Sequence, residues 1–261
     1  MNKITINLED IKLESTDGIE VVIGEASKFL NVQSVKIKIF KDTDIFIVSN
    51  NVDIKLDFYI NVLEGVRSNI YEIKHEGDYK FQYKYYLEKD SYLNIEKIND
   101  GNNIKEMTII NLNGENARVD FNLKTVSKNE EKYNFLVYHN ALNTSSNILN
   151  NGVNIMDGVL EFNVSGFVSN RIKGCNINQK ARIINLTENT CVVKPNLFID
   201  EVDTVANHSA HIGTFKDEEL FYLMSRGLDK ENALKLLIKG FLLKGITNKD
   251  DLENIVNKYW G

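Results

Sequence analysis

Asn207-His208-Ser209-Ala210-His211 brings two imidazoles close together in a chain with only four histidines and two cysteines, Cys175 and Cys191. Imidazole and thiolate are the side chains that ligate iron, zinc and iron–sulfur clusters. Spacing limits what they can do jointly. His211 follows His208 by three residues, so in an extended chain the two rings face opposite sides and share an ion only across a turn. Two cysteines cannot build a four-thiolate cluster site, so a cluster would need ligands from a partner or a symmetric interface. The plain alternatives are a surface histidine and two small buried core thiols.

Other chemistries are poorly supplied. Ser145 and Ser146 lack the glycine elbow of a hydrolase. No P-loop or dinucleotide fingerprint occurs, so ATP binding at such a site is not expected. Asp217-Glu218-Glu219 and Asp250-Asp251 open helical segments, where carboxylates complement the helix dipole.

The elements that must position these residues are mostly strands. Val35, Ile37 and Ile39 alternate with lysines; Phe81, Tyr83 and Tyr85 alternate with Gln82 and Lys84; Val119, Phe121 and Leu123 alternate with polar residues. Each run is short and ends in Asn, Asp or Gly. With a single proline, Pro195, the turns must rely on Asn and Gly. Only 25–30 shows a helical turn before residue 205. A sandwich, a barrel and a solenoid all fit. A loose recurrence about every 20 to 25 residues favours the solenoid, with Asn113-Gly114, Asn151-Gly152 and Lys173-Gly174 as candidate corners.

From Asp217 the apolar period becomes helical. Leu220, Phe221, Leu223 and Met224 share one side of a helix that stops at Gly227. Asp229 caps a second helix with a stripe of Ala233, Leu236, Leu237, Gly240 and Phe241, and Thr247 to Asp250 resembles a capping box for a third. Burying Leu236, Leu237 and Phe241 gains roughly 5–9 kcal/mol. Ordering the helix costs roughly 1–2 kcal/mol per residue, so it must dock on the β unit or on a partner.

The net charge is −6, which leaves no general basic field for nucleic acid, and no apolar run is long enough to span a membrane. Met1 to Asn7 reads as a strand, not a signal segment. Two cysteines point to a reduced cytoplasm, not a disulfide framework.

Gly213 to Leu228, with Phe221-Tyr222-Leu223-Met224-Ser225-Arg226-Gly227 at its centre, resembles the C-terminal signature of the SufB/SufD family, scaffold subunits of the Suf iron–sulfur cluster assembly machinery. Lys194-Pro195-Asn196-Leu197 is similar to the family's lysine–proline corner. Leu112-Asn113-Gly114 is similar to a rung corner, and His139 with Thr144, Ser145 and Ser146 to another family segment. The resemblance covers about residues 105–261.

It implies a right-handed parallel β-helix over 1–205 and a small C-terminal helical domain over 206–261 that docks a SufC-like ABC ATPase. ATP hydrolysis by that subunit would distort a scaffold pair and open its interface. Family members are longer and carry an N-terminal helical region; here strands come first, so a short form lacking that region is expected. His208 matches the histidine that SufD-like members place near the scaffold interface, which makes it the candidate iron or cluster ligand. Ser209 stands where SufB-like members carry a glutamate, and the family usually has Thr at His211. The SufB-type acceptor cysteine falls near Lys180 or Ala181, ten or so residues before Cys191, which stays a second candidate ligand.

Phe221, Tyr222, Met224, Arg226 and Leu228 are the candidate ATPase contacts; Arg226 would alternatively serve as a helix C-terminal cation. The expected protein is a SufD-like, non-enzymatic cytoplasmic scaffold. It pairs with a SufB-like chain or a second copy, is served indirectly by a cysteine desulfurase system, and handles transient iron or clusters at a subunit interface. Two rivals stand: an ATPase-docking partner without cluster chemistry, and a β-helix enzyme acting on polysaccharide.

Overall fold

The computed structural model describes residues 2–7, 11–24, 32–50, 55–247 and 249–261. The helical turn expected at 25–30 lies outside them. The first strands are β1 (Asn2–Ile6), β2 (Ile11–Glu14), β3 (Ile19–Gly24), β4 (Val32–Ile39), β5 (Thr43–Ser49), β6 (Lys55–Val62), β7 (Arg67–Lys74), β8 (Asp78–Leu87) and β9 (Tyr92–Asn99). Then come β10 (Asn103–Leu112), β11 (Arg118–Ser127), β12 (Glu130–His139), β13 (Ser145–Asn154), β14 (Val159–Val168), β15 (Cys175–Asn185), β16 (Val192–Ile199) and β17 (Thr204–Gly213). Three helices follow: α1 (Asp217–Ser225), α2 (Lys230–Leu243) and α3 (Lys249–Trp260).

From β4 onward successive strands alternate between two sheets. One has the order β17-β15-β13-β11-β9-β7-β5-β1-β2, the other β16-β14-β12-β10-β8-β6-β4-β3. Pairing is parallel except at β1/β2 and β3/β4. The result is a parallel β-solenoid of about seven turns followed by the helices. Inward rows such as Phe58, Phe81, Tyr83 and Tyr85 bury their rings together, which is what the period-two alternation encodes.

One corner column is built from left-handed residues: Gly65, Asp90, Asn116, Asn143 and Gly174 all have positive φ. Their spacings of 25, 26, 27 and 31 residues begin at the upper end of the recurrence expected from sequence and lengthen beyond it toward the last rungs. Asn and Gly tolerate this conformation, and the side chains add a ladder, with Asn116 donating to Asp90 at 2.7 Å. Asn113-Gly114 and Gly174 do flank turns, but Asn151-Gly152 does not. Gly152 lies inside β13, where a Cβ would stand 2.2 Å from the Leu160 side chain, so packing explains that glycine.

α2 and α3 dock on the outer face of the nine-stranded sheet. Ile238, Leu242, Leu252 and Val256 join Ile98, Val126, Val153 and Ile184 in one apolar cluster. β9, β11 and β13 are therefore buried on both faces near their C-terminal ends. Polar pins fix the dock. Asn122 donates to the Gly245 carbonyl at 2.6 Å, and Lys258 and Tyr259 both donate to Asp100. Thr247 gives its amide and hydroxyl to Glu96 at 2.9 and 2.7 Å, so its hydroxyl pins the helix to β9 and is not free to cap α3. The buried stripe of α2 is Ala233, Ile238 and Leu242; Leu236, expected on it, is 48% exposed because the docking face is turned from the expected stripe. Asp229 does cap α2, accepting from the Asn232 amide.

Candidate functional site

β17 ends one sheet and β16 the other, so among the described residues each pairs on one side only and presents an open backbone edge. The last strand runs through Gly213, past the boundary expected at 205. Its register locates the two histidines. Ala206, His208 and Ala210 stand opposite Ile177, Gln179 and Ala181, which are buried in the solenoid interior. His208 thus continues the inward row, yet it is exposed because no further rung covers it. His211 stands opposite Arg182 on the other face. The odd offset separates the rings, as extended backbone requires.

Gln179 lies beneath His208, 1% exposed. Its carboxamide crosses toward the opposite sheet, where Gly166 leaves room: a Cβ there would meet Nε2 at 2.9 Å. Nε2 donates to the Asn196 carbonyl at 3.4 Å, while Oε1 has no hydrogen-bond partner. A polar group is thereby held directly under the open end.

Cys191 is not brought to this point. It is 8% exposed within the main core cluster, and burial pushes its thiol up. Asn196 marks the level of Gln179, and Cys191 is five residues earlier, roughly 16 Å along a strand at 3.3 Å per residue. Lys180 and Ala181, nearest the family's acceptor cysteine, carry no thiol, and Ala181 faces inward, buried. Cys175 is buried beside the Thr144 hydroxyl. His139 is structural: its Nδ1 pairs with Thr144 at 2.8 Å and its Nε2 with Ser146 at 2.9 Å, and burial lowers its pKa to about 4. Among the described residues no group of three His, Cys, Asp or Glu could hold a metal ion. On the inward row this rung therefore offers one accessible imidazole, His208, with His211 exposed on the other face.

α1 sits three residues beyond β17 and buries none of its side chains. Phe221 is 66% exposed and Tyr222 59%; Met224 is also exposed, and Leu228 is half-buried. The Arg226 guanidinium lies 5.3 Å from the Tyr222 ring centroid, and Gly227 follows with φ +97°, ending the helix as expected. An exposed apolar cluster with a cation on it, on a helix that buries none of its residues, is the kind of surface that marks a contact site.

Sequence reasoning missed the charges inside the solenoid. Glu72, Lys74, Lys97 and Glu106 are all buried and form a closed ring of ion pairs at 2.8–3.0 Å. Tyr83 donates to Glu72, and Thr108 donates to Glu106 at 3.0 Å. Two cations and two anions balance, so none is buried uncompensated. Parity was the available signal: Glu72 and Lys74 continue the row of Ser68 and Ile70, which points inward.

No helix among the described residues is long and apolar enough to cross a membrane. Residues 55–241 match the family described as "SUF system FeS cluster assembly, SufBD core domain". The chain is similar to "Iron-sulfur cluster assembly protein SufD" of Bacillus subtilis, 34% identical over 161 residues, covering 60% of this chain and 36% of that protein. It is also similar to an iron–sulfur cluster assembly SufBD family protein of Pyrococcus horikoshii, 54% identical over 44 residues, covering 17% of this chain and 9% of that protein. A Staphylococcus aureus member is 30% identical over 107 residues, 40% of this chain and 23% of its own. The matches thus span little more than a third of these relatives at most.

Proposed function

Because the chain belongs to the SufBD core family of the Suf iron–sulfur cluster assembly system, we propose that it works as a non-catalytic scaffold subunit whose open last rung meets a second scaffold chain. The observation that carries this reading is the position of His208: on the inward row, at an uncovered end, beside two unpaired strand edges. A second chain laid on this end would bury His208, satisfy the edges and bring its own donors to the same place. Iron or a nascent cluster is then cargo held between chains, with His208 supplying one nitrogen. Ser209 offers no carboxylate, so the remaining ligands fall to the partner, a SufB-like chain or a second copy. Cys191 remains the second candidate ligand, but burial keeps its thiol protonated and His208 carries the proposal. Sulfur arrives indirectly, from a cysteine desulfurase system in the same cytoplasm.

The exposed face of α1 supports docking of a SufC-like ABC ATPase through Phe221, Tyr222, Met224, Arg226 and Leu228. Only residues 214–216 separate α1 from β17. A displacement of α1 by that ATPase would therefore load the strand that carries His208, linking ATP turnover to the interface.

Co-expression with a SufC-like ATPase and a SufB-like scaffold, followed by anaerobic reconstitution with iron and sulfide, tests the reading. Co-purification and visible-region absorbance that falls in His208→Ala are expected. Failure to bind any SufC-like protein overturns the docking assignment. Docking with no absorbance in any combination leaves an ATPase-binding partner without cluster chemistry.

A further inference from the structure

Four lysines stand in one straight column on the outer face of the eight-stranded sheet. Lys55 is opposite Lys80, Lys80 opposite Lys105, and Lys105 opposite Lys132, on β6, β8, β10 and β12. Their inward neighbours Leu56, Phe81, Glu106 and Tyr133 are buried, so the four lysines lie on the outer face, Lys132 half-buried and the other three exposed. Like charges directly opposite one another destabilise a sheet. Lysines that guard strand edges do not explain the column, because all four strands are internal to the sheet. Neutralisation is partial. Lys105 pairs with Glu130 at 3.3 Å and Lys132 with Glu161 at 3.0 Å, while Lys55 and Lys80 form no ion pair among the described residues. The column lines a cleft of about 440 Å³ together with Gln82 and Met107. Beyond Met107 lie Ile109 and Leu136, opposite each other and half-buried on the same face. The docked helices pack on the other sheet, and Lys55, Lys80 and Lys105 are exposed among the described residues.

We propose that this column is a docking surface for an acidic amphipathic helix of a partner protein. Charge complementarity selects the sign, and geometry selects the helix. Rungs repeat about every 4.8 Å. Carboxylates three or four residues apart on a helix are about 5–6 Å apart, so one acidic seam follows the column rung by rung. Three rung steps span about 14 Å, the length of roughly ten helical residues at 1.5 Å each. The flanking Met107, Ile109 and Leu136 meet the apolar side of the same helix. This surface is separate from the last rung and from α1, so its test is independent of the scaffold reading.

The probe is a fluorescein-labelled helical peptide of about 16 residues, with glutamates at i, i+4, i+7 and i+11 and leucines beside them. Its binding to the full chain is followed by fluorescence anisotropy. A scrambled peptide of equal composition, vesicles rich in phosphatidylserine and single-stranded DNA are the comparison ligands. The ordered peptide is expected to bind in a salt-sensitive way and better than its scramble. The variant Lys55→Gln/Lys80→Gln/Lys105→Gln is expected to weaken it about tenfold. If that variant does not fold, Lys80→Gln alone carries the test, with a smaller loss in the same direction. Equal binding of ordered and scrambled peptides, unchanged binding to the variants, or binding of vesicles or DNA without the peptide would overturn the proposal.

Discussion

His208 faces Gln179 across the β17/β15 strand pair at the uncovered end of the solenoid, one side chain exposed and the other 1% exposed. The pair carries the inward column of Ile95, Phe121 and Ile148 on to the last strand, where the apolar series turns polar. Gln179 stays put without His208, since its amide is held by the Asn196 carbonyl. The imidazole is therefore available to a ligand and not needed by the fold.

His208→Ala should leave folding stability within about 0.5 kcal/mol of the parent, as expected of an exposed side chain. It should lower the visible-region absorbance of a reconstituted scaffold complex. Unfolding curves and anaerobic spectra check both halves; a large stability loss would mean that His208 is structural.

Phe221→Asp should fold normally, because α1 buries nothing, and should weaken a SufC-like ATPase by about tenfold or more. Calorimetric titration measures this directly. Undiminished affinity would move the docking surface elsewhere.

Lys97→Met removes one of the two cations from the buried ring and leaves Glu72 and Glu106 facing Lys74 alone. A loss of about 3–5 kcal/mol is expected in denaturant unfolding. Adding Glu106→Gln restores the charge balance and should recover part of it. Equal losses in the single and double variants would argue that packing of Lys97 on the Tyr83 ring matters more than charge.

Glu131 and His139 give stability opposite pH slopes. Burial pushes Glu131 up to about 7, against hydrogen bonds from Thr125 and Tyr133 that favour its charged form. Between its ordinary value of 4.5 and 7 the folded state binds more protons than the unfolded one, so stability falls as pH rises through that window. His139, held near 4, gives the reverse: stability is lost as pH falls from 6.5 toward 4. Glu131→Gln should therefore stabilise the protein by about 2–3 kcal/mol at pH 8 and hardly at all at pH 4. Melting series at the two pH values decide this, and a uniform gain would contradict it.

Much of the architecture was legible in local chain properties. Alternation at Val35 to Ile39 and Phe81 to Tyr85 marks inward rows, and Asp229 and Gly227 mark helix ends, because each signal is contained in a few neighbouring residues. Asn151-Gly152 misled as a corner because its glycine answers Leu160, a residue eight positions on in another strand. Leu236 and Thr247 misled because the sheet onto which α2 and α3 dock chooses their buried face and takes up the Thr247 hydroxyl.

The residues of the proposed site divide in the same way. By itself the sequence determined that His208 and His211 cannot share an ion in extended chain, that two cysteines cannot make a four-thiolate cluster site within one subunit, and that a family signature follows them. Only the tertiary structure decided that His208 ends an inward row, that Cys191 is far along the opposite strand, and that four lysines from four separate segments form one column. Strand register is the physical reason. It pairs residues some 25 to 31 positions apart, and those pairings depend on the length of every intervening corner, which no local periodicity records.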